Sequence, residues 1–377
     1  MWANFGQDDG LPSSDVYSIA ALEKDVWAGL DGSVARFVES NQSWVALFPP
    51  GLAARVTSIA IGKGEVWFGT FGNGIFRYQD GEWTSYTKKD GLADDRVEDI
   101  AIDGSYLYAA TVAGASRLPL SAQPARFQTV RKTDGLPDEG LSSVCVLGDM
   151  VWFGSRAHGV LGLDASSFSY KKQVSIEQGL SDSRVLSLAS DGQYLWVGTG
   201  AGGVCRYDPA EESIVVYNKS TGLADNLVGS VATDSSVWCG SWGSGVTALD
   251  KDGTTTIYDR SKGLADNDVR DIAVGQREVW FATAGGVSRF TGKVAAGRGG
   301  VPVIYVVVGV IAIGVIAVPL LLRGRSHAEK TGVKKKKMPY ELCGGEPAEN
   351  LCPFCRYNVV RAGKHYCSRY RVSIPFE

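Results

Sequence analysis

Four cysteines near the C-terminus have the spacing of metal ligands. Cys343, Cys352, Cys355 and Cys367 follow the pattern C-x8-C-P-F-C-x11-C, and the Cys-Pro-Phe-Cys pair can present two thiolates to one ion. Zinc prefers four such ligands in a tetrahedron, so we predict structural zinc in a zinc-ribbon-like module, with His365 as an alternate ligand. A redox-active dithiol and unpaired thiols in a reducing compartment are the alternatives.

Catalytic patterns are absent from the sequence. It contains no His-Glu-x-x-His, no Gly-x-Ser-x-Gly and no Gly-x4-Gly-Lys-Ser/Thr. Residues 198–203 match G-x-G-x-x-G, but we predict a turn there because no helix follows. Arg156 and His158 form the one candidate catalytic cluster in the first 291 residues. We therefore expect that the protein is not an enzyme, with a lyase or hydrolase as the less favoured alternative.

A repeat of about 40 residues organises the region upstream of these cysteines. The dipeptide Gly-Leu recurs at steps of 40 to 44 residues, and an aromatic residue follows each copy after 16 or 17 residues. A pattern such as Gly-Gly-Val-x-Arg-Tyr comes next. The seven Gly-Leu glycines are Gly10, Gly51, Gly91, Gly135, Gly179, Gly222 and Gly263. The aromatic residues are Trp27, Trp67, Tyr108, Trp152, Trp196, Trp238 and Trp280.

Each repeat has the pattern of four short strands separated by Asp-Gly turns, which is typical of one blade of a β-propeller. The seventh copy has only three strands before the chain leaves the repeat region. Trp2 lies eight residues before Gly10, as Trp83 lies eight before Gly91. We therefore predict an all-β fold, a seven-bladed β-propeller in which residues 2–6 supply the outer strand of blade seven.

These repeats resemble the two-component regulator propeller repeat, on the strength of VWFGT at 66–70, LWVGT at 195–199 and GGVCRYD at 202–208. The resemblance covers residues 1–291. It implies a propeller of the kind that forms extracytoplasmic sensor regions of bacterial signalling proteins, often ahead of a histidine kinase. Only 55 residues follow the apolar segment described next, too few for a kinase, so we expect a sensing or binding role without kinase activity.

Residues 301–322 contain no charge and are long enough to cross a bilayer as one transmembrane helix. The basic segment 323–337 follows, so the positive-inside rule predicts a cytoplasmic tail and an extracytoplasmic propeller. Residues 1–20 contain no apolar signal core. We therefore expect either a signal upstream of Met1 or export driven by the span itself.

The predicted domain order has five parts, and charge separates the first from the last. The propeller occupies 1–291, a Gly-rich linker 292–300, the span 301–322, the basic juxtamembrane segment 323–337 and the Cys-rich module 338–377. Residues 323–377 carry 12 Lys+Arg against 5 Asp+Glu, whereas residues 1–322 carry 26 against 36. An acidic propeller argues against nucleic acid as its partner.

Residues that break the repeat are the candidates for recognition. In propellers the loops between the second and third strands and the connections between blades emerge on one face. Among the glycines of those loops the sequence places large or charged residues, and arginines precede several inner strands. These candidates are Phe71, Arg156, His158, Trp242, Arg55, Arg96 and Arg184.

Aromatic side chains suit a sugar ring or a peptide, and arginine suits a carboxylate. We therefore predict a small-molecule, carbohydrate or protein ligand on this face. Signalling through one helix would favour a homodimer. A rigid protein-interaction scaffold is the alternative function. The recurring acids Asp94, Asp182, Asp225 and Asp266 are predicted to cap turns rather than to catalyse.

Overall fold

The computed structural model describes residues 1–62, 64–121 and 126–292, and the backbone of three short strands between 358 and 373. The predicted span, the linker after Gly292, and Cys343, Cys352 and Cys355 lie outside the described residues. At His365 and Cys367 only the backbone is described. Within the described residues no helix is long and apolar enough to cross a membrane.

Seven antiparallel sheets, six of four strands and one in which three further strands follow the four of the blade, confirm the predicted all-β, seven-bladed propeller. Each blade is named by its repeat, and its strands run from the inner to the outer edge. Blade 1 comprises β2 (Ser18–Leu22), β3 (Asp25–Gly29), β4 (Val34–Val38) and β5 (Ser43–Leu47); blade 2 comprises β6 (Val56–Ile61), β7 (Glu65–Thr70), β8 (Ile75–Gln79) and β9 (Glu82–Tyr86). Blade 3 comprises β10 (Val97–Ile102), β11 (Tyr106–Thr111), β12 (Gly114–Pro119) and β13 (Gln128–Val130); blade 4 comprises β14 (Leu141–Leu147), β15 (Met150–Ser155), β16 (Val160–Asp164) and β17 (Tyr170–Val174).

The remaining blades follow the same order. Blade 5 comprises β18 (Val185–Ser190), β19 (Leu195–Thr199), β20 (Val204–Asp208) and β21 (Ser213–Tyr217); blade 6 comprises β22 (Ser230–Thr233), β23 (Ser236–Ser241), β24 (Gly245–Asp250) and β25 (Thr255–Tyr258). Blade 7 comprises β26 (Val269–Val274), β27 (Val279–Thr283), β28 (Gly286–Phe290) and β1 (Trp2–Phe5). Short 3₁₀ turns lie at Gln7–Asp9, Lys88–Asp90, Lys132–Asp134, Ile176–Gln178, Lys219–Thr221 and Arg260–Lys262.

The Gly-Leu dipeptide recurs because its two residues have separate structural roles: the glycine ends a turn and the leucine packs into the core. Gly263 follows a 3₁₀ turn with φ of 115°, in the left-handed region that favours glycine. A Cβ on Gly10 would lie 2.1 Å from the carbonyl oxygen of Trp44, so any side chain would clash there. The following leucines, such as Leu11 and Leu136, are buried in the clusters between blades.

The Trp and Arg signals of the repeat are cross-strand partners. Trp67 lies opposite Arg77 in the sheet, and the guanidinium carbon of Arg77 lies 5.3 Å from the centre of the indole ring. Trp280 and Arg289 repeat this arrangement in blade 7 at 5.4 Å. Such cation–π pairs place a positive charge over the face of a buried ring. The spacing of the two signals in the sequence therefore reflects strand pairing in the blades that carry both residues.

The ring closes as predicted. β1 pairs antiparallel with β28, with Trp2 opposite Phe290 and Phe5 opposite Val287. Phe5 is buried against Phe37 of blade 1 and Trp280 of blade 7, at ring distances of 5.2 and 5.9 Å. The first strand of the chain thus becomes the outer strand of the last blade and joins the two ends of the ring.

Three further strands lie at the outer edge of blade 5. They are β29 (Asn358–Arg361), β30 (Lys364–Cys367) and β31 (Val372–Ser373). β29 meets β21 through a single residue pair, Ile214 with Val360, whereas β20 and β21 pair through five. Within one molecule this contact cannot form if a bilayer separates the propeller from the tail.

Candidate ligand-binding rim

The two sets of predicted recognition residues lie side by side on one face of the ring. Isolated backbone bridges join a loop of one blade to the residue before the inner strand of the next. They pair Asp31 with Arg55, Phe71 with Arg96 and Trp242 with Asp268. We call this face, formed by those loops and by the residues that begin the inner strands, the rim.

The large side chains of the rim are accessible. Phe71 is 38% exposed and Trp242 is 48% exposed, although most aromatic side chains of the blades are buried. Trp242 packs over Gly229, where a Cβ would lie 2.4 Å from the indole nitrogen. The loop glycines therefore create the space in which the aromatic side chains lie.

The sequence prediction missed three side chains beside these residues. Tyr17, Glu98 and Arg270 each follow directly the buried residue that opens or precedes an inner strand, namely Val16, Val97 and Val269. Successive side chains of a strand point to opposite faces, so this position turns away from the core. An alignment of the seven repeats would have shown that this position is variable, because the other blades have threonine, serine, leucine or glycine there.

Tyr17 lies between two arginines from neighbouring blades. The guanidinium carbons of Arg270 and Arg55 lie 4.4 and 4.8 Å from its ring centre. Its hydroxyl donates to Asp15 at 2.8 Å, and burial together with this bond raises the pKa of Tyr17. Arg270 also forms ion pairs with Asp15 at 2.9 Å and with Asp268 at 3.4 Å. The ring is thus held in place by groups from blades 1, 2 and 7.

Arg156 and His158 contact different acids. Arg156 forms an ion pair with Glu98 of blade 3, and burial raises the pKa of Glu98 despite that partner. The Nδ1 atom of His158 lies 3.3 Å from Asp138, which also accepts the Ser155 hydroxyl at 2.5 Å. Burial raises the pKa of Asp138, but hydrogen bonds from Ser155 and the Gly140 N–H outweigh burial and hold that pKa below its usual value.

Ser155 and His158 both contact the carboxylate of Asp138, and Ser155 does not bond the imidazole of His158. The three residues therefore lack the serine–histidine bond of a nucleophilic triad. Ser155 is fully buried and its hydroxyl accepts the N–H groups of Ala157 and His158. Threonines occupy the same place in other blades, as Thr70 does. The hydrogen bonds of Ser155 therefore stabilise the turn that contains His158.

The recurring acids cap turns before the inner strands. Asp94, Asp182 and Asp225 accept the backbone N–H of the second residue after them, at 3.0 to 3.1 Å. The N–H groups capped in this way include those of the predicted rim residues Arg96 and Arg184. Both arginine side chains are exposed, and Arg96 also contacts Asp94 at 3.0 Å. These acids therefore position the rim.

A ring of small polar side chains underlies the rim. Serine or aspartate occupies the second position after the buried valine or leucine in every blade; the seven residues are Ser18, Ser58, Asp99, Ser143, Ser187, Ser230 and Asp271. Asp99 joins three blades, because it accepts the Ser58 hydroxyl at 2.6 Å and the Val144 N–H at 2.8 Å. Asp271 joins blades 7 and 1 through the Ile19 N–H at 2.8 Å.

The two carboxylates of this ring have raised pKa values. Each keeps part of its surface accessible, yet burial dominates over the bonds that it accepts. Burial raises the pKa of Asp99 to about 6 and that of Asp271 to about 7. Their protonation therefore couples to the packing of adjacent blades near neutral pH.

Solved structures with the same fold include bacterial extracellular domains. No protein-family model and no curated protein matches the sequence. The extracellular domain assigned to a hybrid two-component system of B. thetaiotaomicron is 17% identical with a TM-score of 0.63, over 77% of this chain and 41% of that one. A second extracellular domain from B. thetaiotaomicron, assigned to a one-component system, is 20% identical with a TM-score of 0.61, over 76% of this chain and 39% of that one.

A third similar structure is PorZ, a surface component of the type-IX secretion system of Porphyromonas gingivalis. It is 17% identical with a TM-score of 0.60, over 76% of this chain and 48% of that one. This chain thus spans less than half the length of each of these three structures. At such identities the likeness establishes the propeller fold.

Proposed function

We propose that this chain is a membrane-anchored extracytoplasmic propeller that binds a ligand or partner protein on its rim and acts as a sensor module. One observation carries the proposal. Exposed aromatic and arginine side chains gather on a single face, at positions where other blades have small residues. Binding surfaces concentrate such side chains because they bury much area or pair with carboxylates at small entropic cost.

The location of the propeller outside the cytoplasm rests on two supports. The uncharged segment 301–322 is followed by the basic segment 323–337, which favours a cytoplasmic tail. Two of the similar structures are extracellular domains of bacterial regulatory systems. In this arrangement the Cys-rich tail binds zinc in the cytoplasm, and a homodimer carries the signal across the membrane.

The zinc proposal rests on ligand spacing and has its own test. The full chain should contain one zinc ion per molecule, and the double variant Cys352→Ser/Cys355→Ser should lose it. A tail that binds no zinc but forms a reversible Cys352–Cys355 disulfide would replace this proposal with the redox alternative.

A ligand screen with matched variants tests the binding function. The full chain in nanodiscs is screened by thermal shift against neutral sugars, amino acids, short peptides and small carboxylates. A hit should be lost in Phe71→Ala/Trp242→Ala and retained in Leu22→Ala/Val45→Ala, which removes exposed apolar side chains away from the rim. Hits that persist in the rim variant would overturn the proposal.

The same screen separates the rival functions. A scaffold would bind only protein partners through the rim, with no soluble hit. An enzyme would turn over a hit, and loss of turnover in both Arg156→Ala and His158→Ala would assign the activity to those residues.

A further inference from the structure

Arg55 and Arg184 differ from the other arginines of the rim, because no acid among the described residues forms an ion pair with either of them. Arg96 contacts Asp94, Arg156 contacts Glu98, and Arg270 contacts two aspartates. Within the described ranges, no carboxylate oxygen lies within 4.0 Å of the Arg55 guanidinium. Glu98 feels the charge of Arg55, but it forms its ion pair with Arg156.

Two aromatic rings hold Arg55 instead. Its guanidinium carbon lies 4.8 Å from the ring centre of Tyr17 and 5.6 Å from that of Phe71. A cation–π contact attracts the guanidinium to the rings without using its N–H donors. Tyr17 is itself anchored by its bond to Asp15 and by Arg270 on the neighbouring blade. Arg55 is therefore an oriented cation with free donors.

Free guanidinium donors match a carboxylate, which accepts two parallel hydrogen bonds from the guanidinium fork. A doubly charged phosphate fits less well, because Asp15, Asp31 and Glu98 lie around the same cation and repel a second negative charge. The exposed face of Phe71 next to the guanidinium offers an apolar surface for the group that carries the carboxylate.

We propose that Tyr17, Arg55 and Phe71 form a subsite for a small organic carboxylate carried on a flat ring. The inference rests on the proposed binding function of the rim and specifies the chemical class of its ligand. Arg55 binds the carboxylate, Phe71 contacts the ring, and Tyr17 acts as a positioning residue that orients the guanidinium.

Arg184 provides the matched control. It occupies the same repeat position in blade 5, is exposed, and has no ion pair among the described residues. Its Cδ packs beside Gly200, and no aromatic ring is stacked on its guanidinium in that part of the chain. The two arginines therefore carry the same charge on the same face and differ in the aromatic support.

Benzoate is the probe, measured against the full chain in nanodiscs by saturation-transfer NMR. Benzamide has the same shape without the charge, and phenyl phosphate replaces the carboxylate by a phosphate. We expect binding of benzoate at least about tenfold tighter than that of benzamide or phenyl phosphate. Arg55→Gln should weaken benzoate binding about tenfold, and Arg55→Lys nearly as much because it lacks the fork. Arg184→Gln should weaken benzoate binding less than Arg55→Gln does.

Equal binding of benzoate and benzamide, or equal losses in Arg55→Gln and Arg184→Gln, would overturn the subsite. Tighter binding of phenyl phosphate would overturn the choice of carboxylate. Tyr17→Phe should keep the ring but lose the bond to Asp15, and should weaken benzoate binding less than Tyr17→Ala does. If benzoate fails while the screen yields a neutral hit that depends on Phe71 and Trp242, the carboxylate subsite falls and the binding function stands.

Discussion

The interior between the blades repeats the same residue types in this chain, whereas the rim varies them from blade to blade. Between blades, the seven copies repeat one solution: an aromatic residue of the second strand packs against the next blade, and a leucine fills the space beside it. On the rim, the same repeat positions hold phenylalanine, tryptophan, arginine, aspartate or glycine. Positions that every blade shares are those that the fold needs. Positions that differ are free to serve recognition.

The closing strand should give the largest effect on stability. Deletion of residues 1–5 removes β1 and exposes β28, and Phe5 alone is worth about 3–5 kcal/mol in a core. We expect a loss of more than about 5 kcal/mol, comparable to the whole stability of a domain. Urea unfolding monitored by tryptophan fluorescence measures it. A synthetic peptide of residues 1–9 should restore part of the loss, and an unchanged urea midpoint without the peptide would refute ring closure by β1.

Two tryptophans compare the regions directly. Trp280 is fully buried against Phe5 and Phe37, whereas Trp242 is half exposed on the rim. Trp280→Ala should cost about 3–5 kcal/mol, and Trp242→Ala should stay within about 0.5 kcal/mol. Equal costs in urea unfolding would show that the rim residue packs as part of the core, and would remove the main reason to regard it as a recognition residue.

The buried carboxylates predict an unusual pH dependence. Because the folded pKa values of Asp99 and Asp271 lie above the usual value near 4, their contribution to stability is fully present below about pH 4. It is lost as the pH rises through about 6 for Asp99 and about 7 for Asp271. For Asp99 the loss is about 2–3 kcal/mol.

The variant Asp99→Asn should flatten this dependence and be more stable than the wild-type protein at pH 7.5. Asp252→Asn, which changes an exposed turn residue, is the control and should keep the wild-type slope. Urea midpoints at a series of pH values measure both. A wild-type curve that rises between pH 4 and pH 7 in step with Asp99 would contradict the assignment.

The turn-capping acids should give the smallest effect. Asp225 accepts the Leu227 N–H at 3.1 Å and the Ser244 hydroxyl at 2.9 Å, so Asp225→Ala should cost about 1 kcal/mol. Asp225→Asn retains an acceptor and should cost less. A change in ligand binding larger than the change in stability would instead give Asp225 a direct role in recognition.

Much of the fold could be predicted from the sequence because the same blade pattern occurs seven times in it. The Gly-Leu turns, the tryptophan strands and the closing strand at Trp2–Phe5 all follow from local spacing. The location of Phe71, Arg55 and Trp242 on one face followed from the general form of a propeller blade. These features depend on residues that are close in sequence or in equivalent repeats.

The pairing of side chains across blades could not be predicted in the same way. Arg156 finds Glu98, which is 58 residues away, and Arg270 finds Asp15 at the other end of the described chain. The Arg156 contact depends on how blades 3 and 4 pack together, and the Arg270 contact depends on the closure of the ring, which places blades 7 and 1 side by side. The free donors of Arg55 emerge only after these pairs are known.

The most direct test of the proposed function is the membrane topology of the full chain. A tag is inserted in the exposed turn at Asp252–Gly253 and another is added at the C-terminus, and protease is applied to intact cells or spheroplasts. We predict that the propeller tag is cleaved and the tail tag is protected, which places the rim outside the cytoplasm. Protection of the propeller tag with cleavage of the tail tag would contradict the account. Equal treatment of both tags would also contradict it, and would favour the contact between β21 and β29.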